Sequence, residues 1–143
     1  MSAIITIQLS SSAIALADKF RQSPQEFPQA IKRGMNRALQ IVAGRIQEKR
    51  LTGHGPFPVA LHRLGERTGQ LKLRTASIPA TVTATANTVT VTGAIGSSVR
   101  YWKYQEFGTK RLPERAPFRT GIRENAAYIS NEIEKEIVKS LNP

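Results

Sequence analysis

Two apolar stripes at helical spacing do most to limit what this chain can fold into. Phe27, Ile31, Met35, Leu39, Val42 and Ile46 follow one another at intervals of 4, 4, 4, 3 and 4 residues. Ile122, Ala126, Ile129, Ile133, Ile137 and Leu141 follow at 4, 3, 4, 4 and 4. A period near 3.6 puts each set on one side of a helix, whereas a strand would scatter it over two faces. The first helix is expected from Pro28, a first-turn proline, to about Arg50. Lys32, Arg33, Arg37, Arg45, Lys49 and Arg50 stand off its stripe and make it strongly basic. Gly34 and Gly44 either weaken this helix or let another element pack closely. The second helix is expected from about Thr120 to Leu141.

The rest of the chain supplies the partners for these helices. Residues 3–9, Ala-Ile-Ile-Thr-Ile-Gln-Leu, are rich in β-branched side chains and predict an opening strand. Ser10-Ser11-Ser12 offers an N-cap for a short helix through Phe20, with Ile14, Leu16, Ala17 and Phe20 as its apolar side. Residues 51–66 contain three Gly and two Pro and predict a long irregular loop. Residues 67–74 fit a helical turn or the start of a strand. Thr81–Thr85 and Thr88–Thr92 alternate hydroxyl and apolar residues around Ala86-Asn87, which predicts a β-hairpin. A turn is expected from Gly93 to Ser98, then one or two helical turns carrying Tyr101, Tyr104 and Phe107 on one side. Strands and helices are segregated along the chain. The expected class is therefore α+β: a small, mainly antiparallel sheet on two long amphipathic helices, with a long loop and an extended arm. A chain of 143 residues has room for one such core, so residues 1–143 are read as a single domain.

Charge and composition narrow the function classes. The formal net charge is +11, which favours polyanionic partners such as nucleic acid or acidic protein surfaces. Asp18 is the only Asp, and Glu124, Glu132, Glu134 and Glu136 share a helix with Lys135 and Lys139, which fits a salt-bridged face better than a cation-holding cluster. There is no Cys, so disulfides, thiol catalysis and thiolate-held metals are excluded. His54 and His62 lie in the Gly/Pro loop without ligand spacing for zinc. No Ser has a G-x-S-x-G setting, and Gly53-His54-Gly55 lacks the lysine of a phosphate-binding loop. The expectation is a protein that is not an enzyme and takes no cofactor or metal. No apolar run is long enough for a membrane span, and the N-terminus lacks the basic start of a signal peptide. The expected place is the cytoplasm, or a particle assembled there.

The aromatic segment is the part that points to assembly. Tyr101-Trp102-Lys103-Tyr104-Gln105-Glu106-Phe107-Gly108-Thr109 holds the only Trp, two of three Tyr and one of five Phe, and a basic run follows to Ala116-Pro117-Phe118-Arg119. Aromatic surface is a common interface anchor. The helical spacing leaves Tyr101, Tyr104 and Phe107 free to pack inside, with Trp102 and an arm over residues 109–119 facing a partner. Lys110, Arg111, Arg115, Arg119 and Arg123 make that arm basic, so it suits DNA phosphates or an acidic patch on a neighbouring subunit.

Two motifs resemble a known family. Arg67-Thr68-Gly69-Gln70-Leu71 looks like the R-T-G-x-L element of bacteriophage neck and tail-completion proteins. Tyr101-x-x-Tyr104-x-Glu106-Phe107-Gly108-Thr109 followed by Pro117-Phe118-Arg119 is similar to their Y-A-x-x-x-E-F-G-T … P-R-P-F-L element. The likeness runs over about residues 25–140. Trp102 stands where the family usually has Ala, Ala116 where Arg is common, and Arg119 where an apolar residue is common. The resemblance implies a structural protein of the virion neck or tail, a tail-completion or head–tail connector subunit. It implies a homo-oligomeric ring around the DNA channel, a hexamer being one expected count, in contact with connector, tail tube or terminator proteins. Arg67, Thr68, Gly69, Leu71, Trp102, Glu106, Phe107, Gly108, Thr109, Pro117, Phe118 and Arg119 would then serve assembly, and Lys110, Arg111 and Arg115 would meet DNA or an acidic partner. The alternative is a free, nonspecific nucleic-acid-binding protein.

Overall fold

In the first helical stripe, Ile31, Met35, Leu39, Val42 and Ile46 are all buried, and Phe27 packs against them from the edge. The computed structural model describes residues 3–10, 25–52, 69–85 and 88–141. Among these the order of elements is β1 (Ala3–Ser10), α1 (Glu26–Arg50), α2 (Gln70–Leu73), β2 (Thr75–Ala84), β3 (Thr88–Ser97), α3 (Trp102–Phe107), α4 (Pro117–Glu124) and α5 (Ala126–Leu141). The class is α+β, as the segregation of strands and helices implies. The short helix expected through Phe20, and the 51–66 loop beyond Thr52, lie outside the described residues.

The sheet has three strands in the order β1-β3-β2, and both pairings are antiparallel. β3 is the central strand. It pairs with β1 from Ala3↔Ile95 to Ser10↔Thr88, and with β2 from Thr75↔Ser97 to Ala84↔Val89. The expected hairpin is present and longer than its threonine-rich core. Thr81, Thr83 and Thr85 are exposed, while Val91 is buried and Val82 and Val89 pack against the core. The turn expected over Gly93–Ser98 is instead strand, because β3 continues through Ser97 and Ile95 enters the core. Gly93 reads locally as a turn signal. It serves here as a flat spot under Met35 and Leu39 of α1, with no room for a Cβ.

β2 slips register between Ile78 and Thr81, the stretch that contains Pro79. Proline cannot donate to a ladder, so it belongs on an edge strand or at a bulge. The displaced Ala80 N–H donates instead to Asn36 Oδ1 of α1 at 2.7 Å. Gln47 Nε2 donates to Thr75 O at 2.7 Å, so α1 is tied to the start of β2 and to its bulge by side-chain hydrogen bonds.

The helix α1 is buried on two sides. One is the expected stripe, which faces the sheet through Met35 and Leu39. The other carries Ala30, Gly34 and Ala38, all buried, and α5 packs there. A Cβ on Gly34 would lie 2.7 Å from Ile133 Cα, so this glycine sets the approach of the two helices. At Gly44, by contrast, a Cβ would meet nothing within 4 Å.

The second long stripe is divided between two helices. Asn125 ends α4 with φ −102° and ψ 12°, and its Nδ2 donates to Gly121 O at 2.8 Å. Asn competes for backbone partners in this way and weakens helix interiors. Ile122, Ile129, Ile133 and Ile137 are buried as expected, but Ala126, just past the break, is exposed.

Candidate functional site

The segment that resembles the E-F-G-T and P-F elements folds as one unit. α3 is six residues long and starts where Trp102 N donates to Val99 O at 3.2 Å. It stops at Gly108, whose φ of 72° and ψ of 179° lie where only glycine is comfortable. A Cβ there would also sit 2.8 Å from Glu114 N and 2.9 Å from Leu112 O. Thr109 then closes a turn. Its Oγ1 accepts from the N–H groups of Arg111 (3.2 Å) and Leu112 (3.1 Å), and its own N–H donates to Leu112 O at 2.8 Å. The arm returns to α3 where Arg115 N donates to Gln105 O at 3.1 Å.

Glu106 is the centre of this unit and is 0% exposed. Its Oε2 accepts from Phe118 N at 2.9 Å, and its Oε1 accepts from Arg119 N at 2.8 Å and from Arg119 Nε at 3.1 Å. The first N–H groups of a helix have no partner within it, and its N-terminus favours negative charge. Ala116, the residue before α4, has no side chain to cap it. Glu106 therefore supplies from twelve residues upstream what an N-cap Ser or Asp supplies locally. Pro117 at the first helical position needs no hydrogen bond for its nitrogen. Ala116 itself is held at φ 44°, the one non-glycine with positive φ among the described residues.

Arg119 completes the latch. Its Nη2 donates to Glu106 O at 2.9 Å and to Glu114 Oε1 at 2.6 Å, and its guanidinium lies 4.8 Å from the Phe107 ring centre. Burial lowers the Arg119 pKa, but the hydrogen bond and charge of Glu106 and the charge of Glu114 outweigh it, so the net shift is upward. Trp102 fills the space beneath, with its ring centre 5.5 Å from Phe118 and 6.3 Å from Phe107.

This corrects the expected orientation of the aromatic segment. Trp102, expected to face a partner, is 7% exposed and belongs to the core with Phe118. Tyr101, Tyr104 and Phe107 share a side, as their spacing implies, but that side is outward, at 42%, 46% and 43% exposure. The physical reason lies in Glu106. Residues four apart share a helix face, so turning Glu106 toward α4 turns Trp102 inward with it. Pro117 and Phe118 are buried within the subunit, and Arg119 is engaged by Glu106 and Glu114. Thr109, Lys110 and Arg111 are exposed, and Arg115 is half-buried.

Of the R-T-G-x-L residues, Arg67 and Thr68 lie outside the described residues. Gly69 has φ 68° and its O accepts from Leu73 N at 2.9 Å, which settles residues 70–73 as a helical turn. Leu71 is buried in the same core as Trp102 and Phe118, so residues of both motifs meet there. Thr75 Oγ1 donates to Leu71 O at 2.7 Å and fixes this turn on β2.

The salt-bridged face expected on the last helix is present in the Lys135–Glu132 pair, but sequence reasoning missed that it reaches across to α1 and that Glu132 is buried rather than solvated. Glu132 is buried and accepts from Lys135 Nζ at 2.6 Å, with Arg37 Nε 3.6 Å away. Glu136 meets Arg33 at 3.7 Å and Arg37 at 3.9 Å. The Lys135 hydrogen bond, with the charges of Lys135 and Arg37, holds the Glu132 carboxyl below its ordinary value despite burial. The missed signal was Arg33 and Arg37, four apart on one helix, matching Glu132 and Glu136, four apart on the other.

Among the described residues no group of three or more His, Asp or Glu is placed to hold a metal, and no helix is long and apolar enough to cross a membrane. Comparison with models of protein families, with curated proteins and with solved structures finds no match to this chain.

Proposed function

We propose that this chain is a structural virion subunit of a tailed bacteriophage, a tail-completion or head–tail connector protein that forms a homo-oligomeric ring around the DNA channel. The observation that carries the reading is the Glu106 latch. The two halves of the sequence element, Glu106-Phe107-Gly108-Thr109 and Pro117-Phe118-Arg119, interlock through four hydrogen bonds, three to the Glu106 carboxylate and one to its main-chain carbonyl. That geometry gives a physical reason for Glu, Gly, Pro and Phe at those spacings. It supports treating the two halves as one structural module, as the resemblance does.

In this reading the subunit performs no chemistry. The latch holds α3 and the arm at a fixed angle to the α1–α5 scaffold, so that a docking partner meets a constant surface. The basic side chains of the arm, Lys110 and Arg111, stand clear of the fold and suit a phosphate backbone or an acidic neighbour. The virion neck or tail is the corresponding location.

Sedimentation velocity and negative-stain imaging of the purified protein, alone, with phage tail parts and with duplex DNA, test the proposal. The expected result is ring-sized particles, or assembly onto the tail parts. A persistent monomer with tight, steeply salt-dependent DNA binding and no place in a virion would favour the free nucleic-acid-binding alternative and overturn the ring.

A further inference from the structure

Exposed apolar side chains are unevenly distributed over the subunit. Eight large ones are exposed among the described residues, and five of them, Leu73 (80%), Tyr101, Tyr104, Phe107 and Leu112, belong to residues 70–74 around α2 or to residues 98–114, which include α3 and part of the arm. These segments leave the same end of the sheet. α2 stops just before Thr75, which pairs with Ser97, and α3 follows that strand end directly. Exposed cations share the same segments: Arg74, Arg100, Lys103, Lys110 and Arg111. The acids in them are Glu106, which is buried, and Glu114, which is paired with Arg119. Clustered apolar exposure ringed by charge marks a surface that is covered in use.

We propose that this end of the subunit docks on an acidic face of a different protein, one that offers apolar sockets between its carboxylates. A second copy of this chain does not fit. Six glutamates, Glu26, Glu106, Glu114, Glu124, Glu132 and Glu136, are already matched by arginines or lysines of the same chain. Another copy therefore brings mainly positive charge to a positive surface. Nucleic acid fits less well than protein. A duplex backbone offers charge but no socket for Leu73 or Leu112, and leucine cannot stack on a base. Two of the three exposed rings already carry cations: Lys103 Nζ lies 5.3 Å from the Tyr104 centre and Arg119 lies 4.8 Å from that of Phe107. Protein interfaces favour this mixture of tyrosine, arginine and partly exposed apolar anchors. The assignment goes beyond the ring and stands without it, since it concerns the face of a single subunit.

The test uses the full chain with four probes: a peptide alternating Glu with Leu, the same peptide with each Leu replaced by Ser, a duplex oligonucleotide and a single-stranded one. Binding is measured by fluorescence anisotropy at about 0.15 M salt and mapped by backbone NMR shifts. The Glu/Leu peptide is expected to bind tightest and to shift residues 72–74 and 100–112. The double variant L73S/L112S is expected to weaken that peptide by about tenfold and to leave both oligonucleotides unchanged. The charge reversal K103E/R111E is expected to weaken every probe. All four substituted side chains are exposed, and thermal melts confirm that the variants fold. Equal binding of the Leu and Ser peptides, tighter binding of either oligonucleotide, shifts that map elsewhere, or no binding to the Glu/Leu peptide would each overturn the proposal.

Discussion

Between α1 and α5 the buried carboxylate of Glu132 is met by side chains, Lys135 and Arg37, whose own heads reach solvent. Between α3 and α4 the buried carboxylate of Glu106 is met by main-chain N–H groups of Phe118 and Arg119, with the Arg119 side chain added. The first arrangement joins helices that already share a long apolar seam, so charge adds register to packing. The second joins two short helices with little seam of their own, where the carboxylate replaces a cap that the sequence lacks. Backbone donors cannot swing away to water when the acceptor is lost, and long cationic side chains can. The same residue type is therefore structural in one place and adjustable in the other.

Removing the Glu106 carboxylate is the strongest way to break this contrast. Glu106→Ala leaves the N–H groups of Phe118 and Arg119, and Arg119 Nε, without their acceptor, while Arg119 Nη2 keeps the Glu106 carbonyl and Glu114. It should cost about 2–5 kcal/mol, chiefly from the two helix donors left unsatisfied, since Arg119 is 40% exposed and can turn to water. Glu106→Gln keeps one acceptor oxygen and should lose less, about 1–3 kcal/mol. Urea unfolding followed by circular dichroism measures both. Glu132→Ala in the same assay should lose clearly less than Glu106→Ala, and equal losses would remove the distinction.

The helix seam is probed next. At Gly34, where a Cβ would fall 2.7 Å from the Ile133 backbone, substitution by Ala should destabilise by about 1–3 kcal/mol as α5 is pushed away. This runs against helix propensity, which favours Ala. At Gly44 the space is open, and Gly44→Ala should stabilise by about 0.5–1 kcal/mol. The pair shares a helix and differs only in what lies opposite, so opposite signs in thermal melts isolate the packing effect.

These two glycines also show what could be read in the sequence. The apolar stripes placed α1 and the buried residues of α5, because a 3.6-residue period is a local property that survives without knowing the partner. The hairpin was legible for the same reason, through alternation of Thr and Val. The role of Gly34 was not, since Gly34 and Gly44 look alike until Ile133 is placed opposite one of them. The orientation of α3 was also hidden. Spacing grouped Tyr101, Tyr104 and Phe107 correctly but could not say which side faces inward, because that is decided by a cap on another helix, twelve residues on. Asn125 carried a local signal for a break, and the continuous Ile122–Leu141 stripe masked it.

The smallest expected effect is the pH response of the α1–α5 cluster. Glu132 has a folded pKa below the ordinary 4.5, held there chiefly by the Lys135 hydrogen bond. A lowered carboxylate contributes stability that is fully present above its unfolded value and is lost as pH falls through its folded value. Lys135, raised above 10.5 by the same bond, contributes in the opposite sense and loses its share as pH rises through its raised value. Stability from this pair should thus be flat around neutrality and decline on both the acid and the alkaline sides. Lys135→Met should remove the alkaline part and move the acid decline to higher pH, because Glu132 then keeps only Arg37 as a nearby cation. Melting temperatures of both proteins between about pH 2 and pH 7 measure the acid side, and added salt should shrink the difference, since Lys135 is exposed and screened. An acid decline unchanged by Lys135→Met would assign it to other carboxylates, and Glu132 would then be held by packing rather than by its cations.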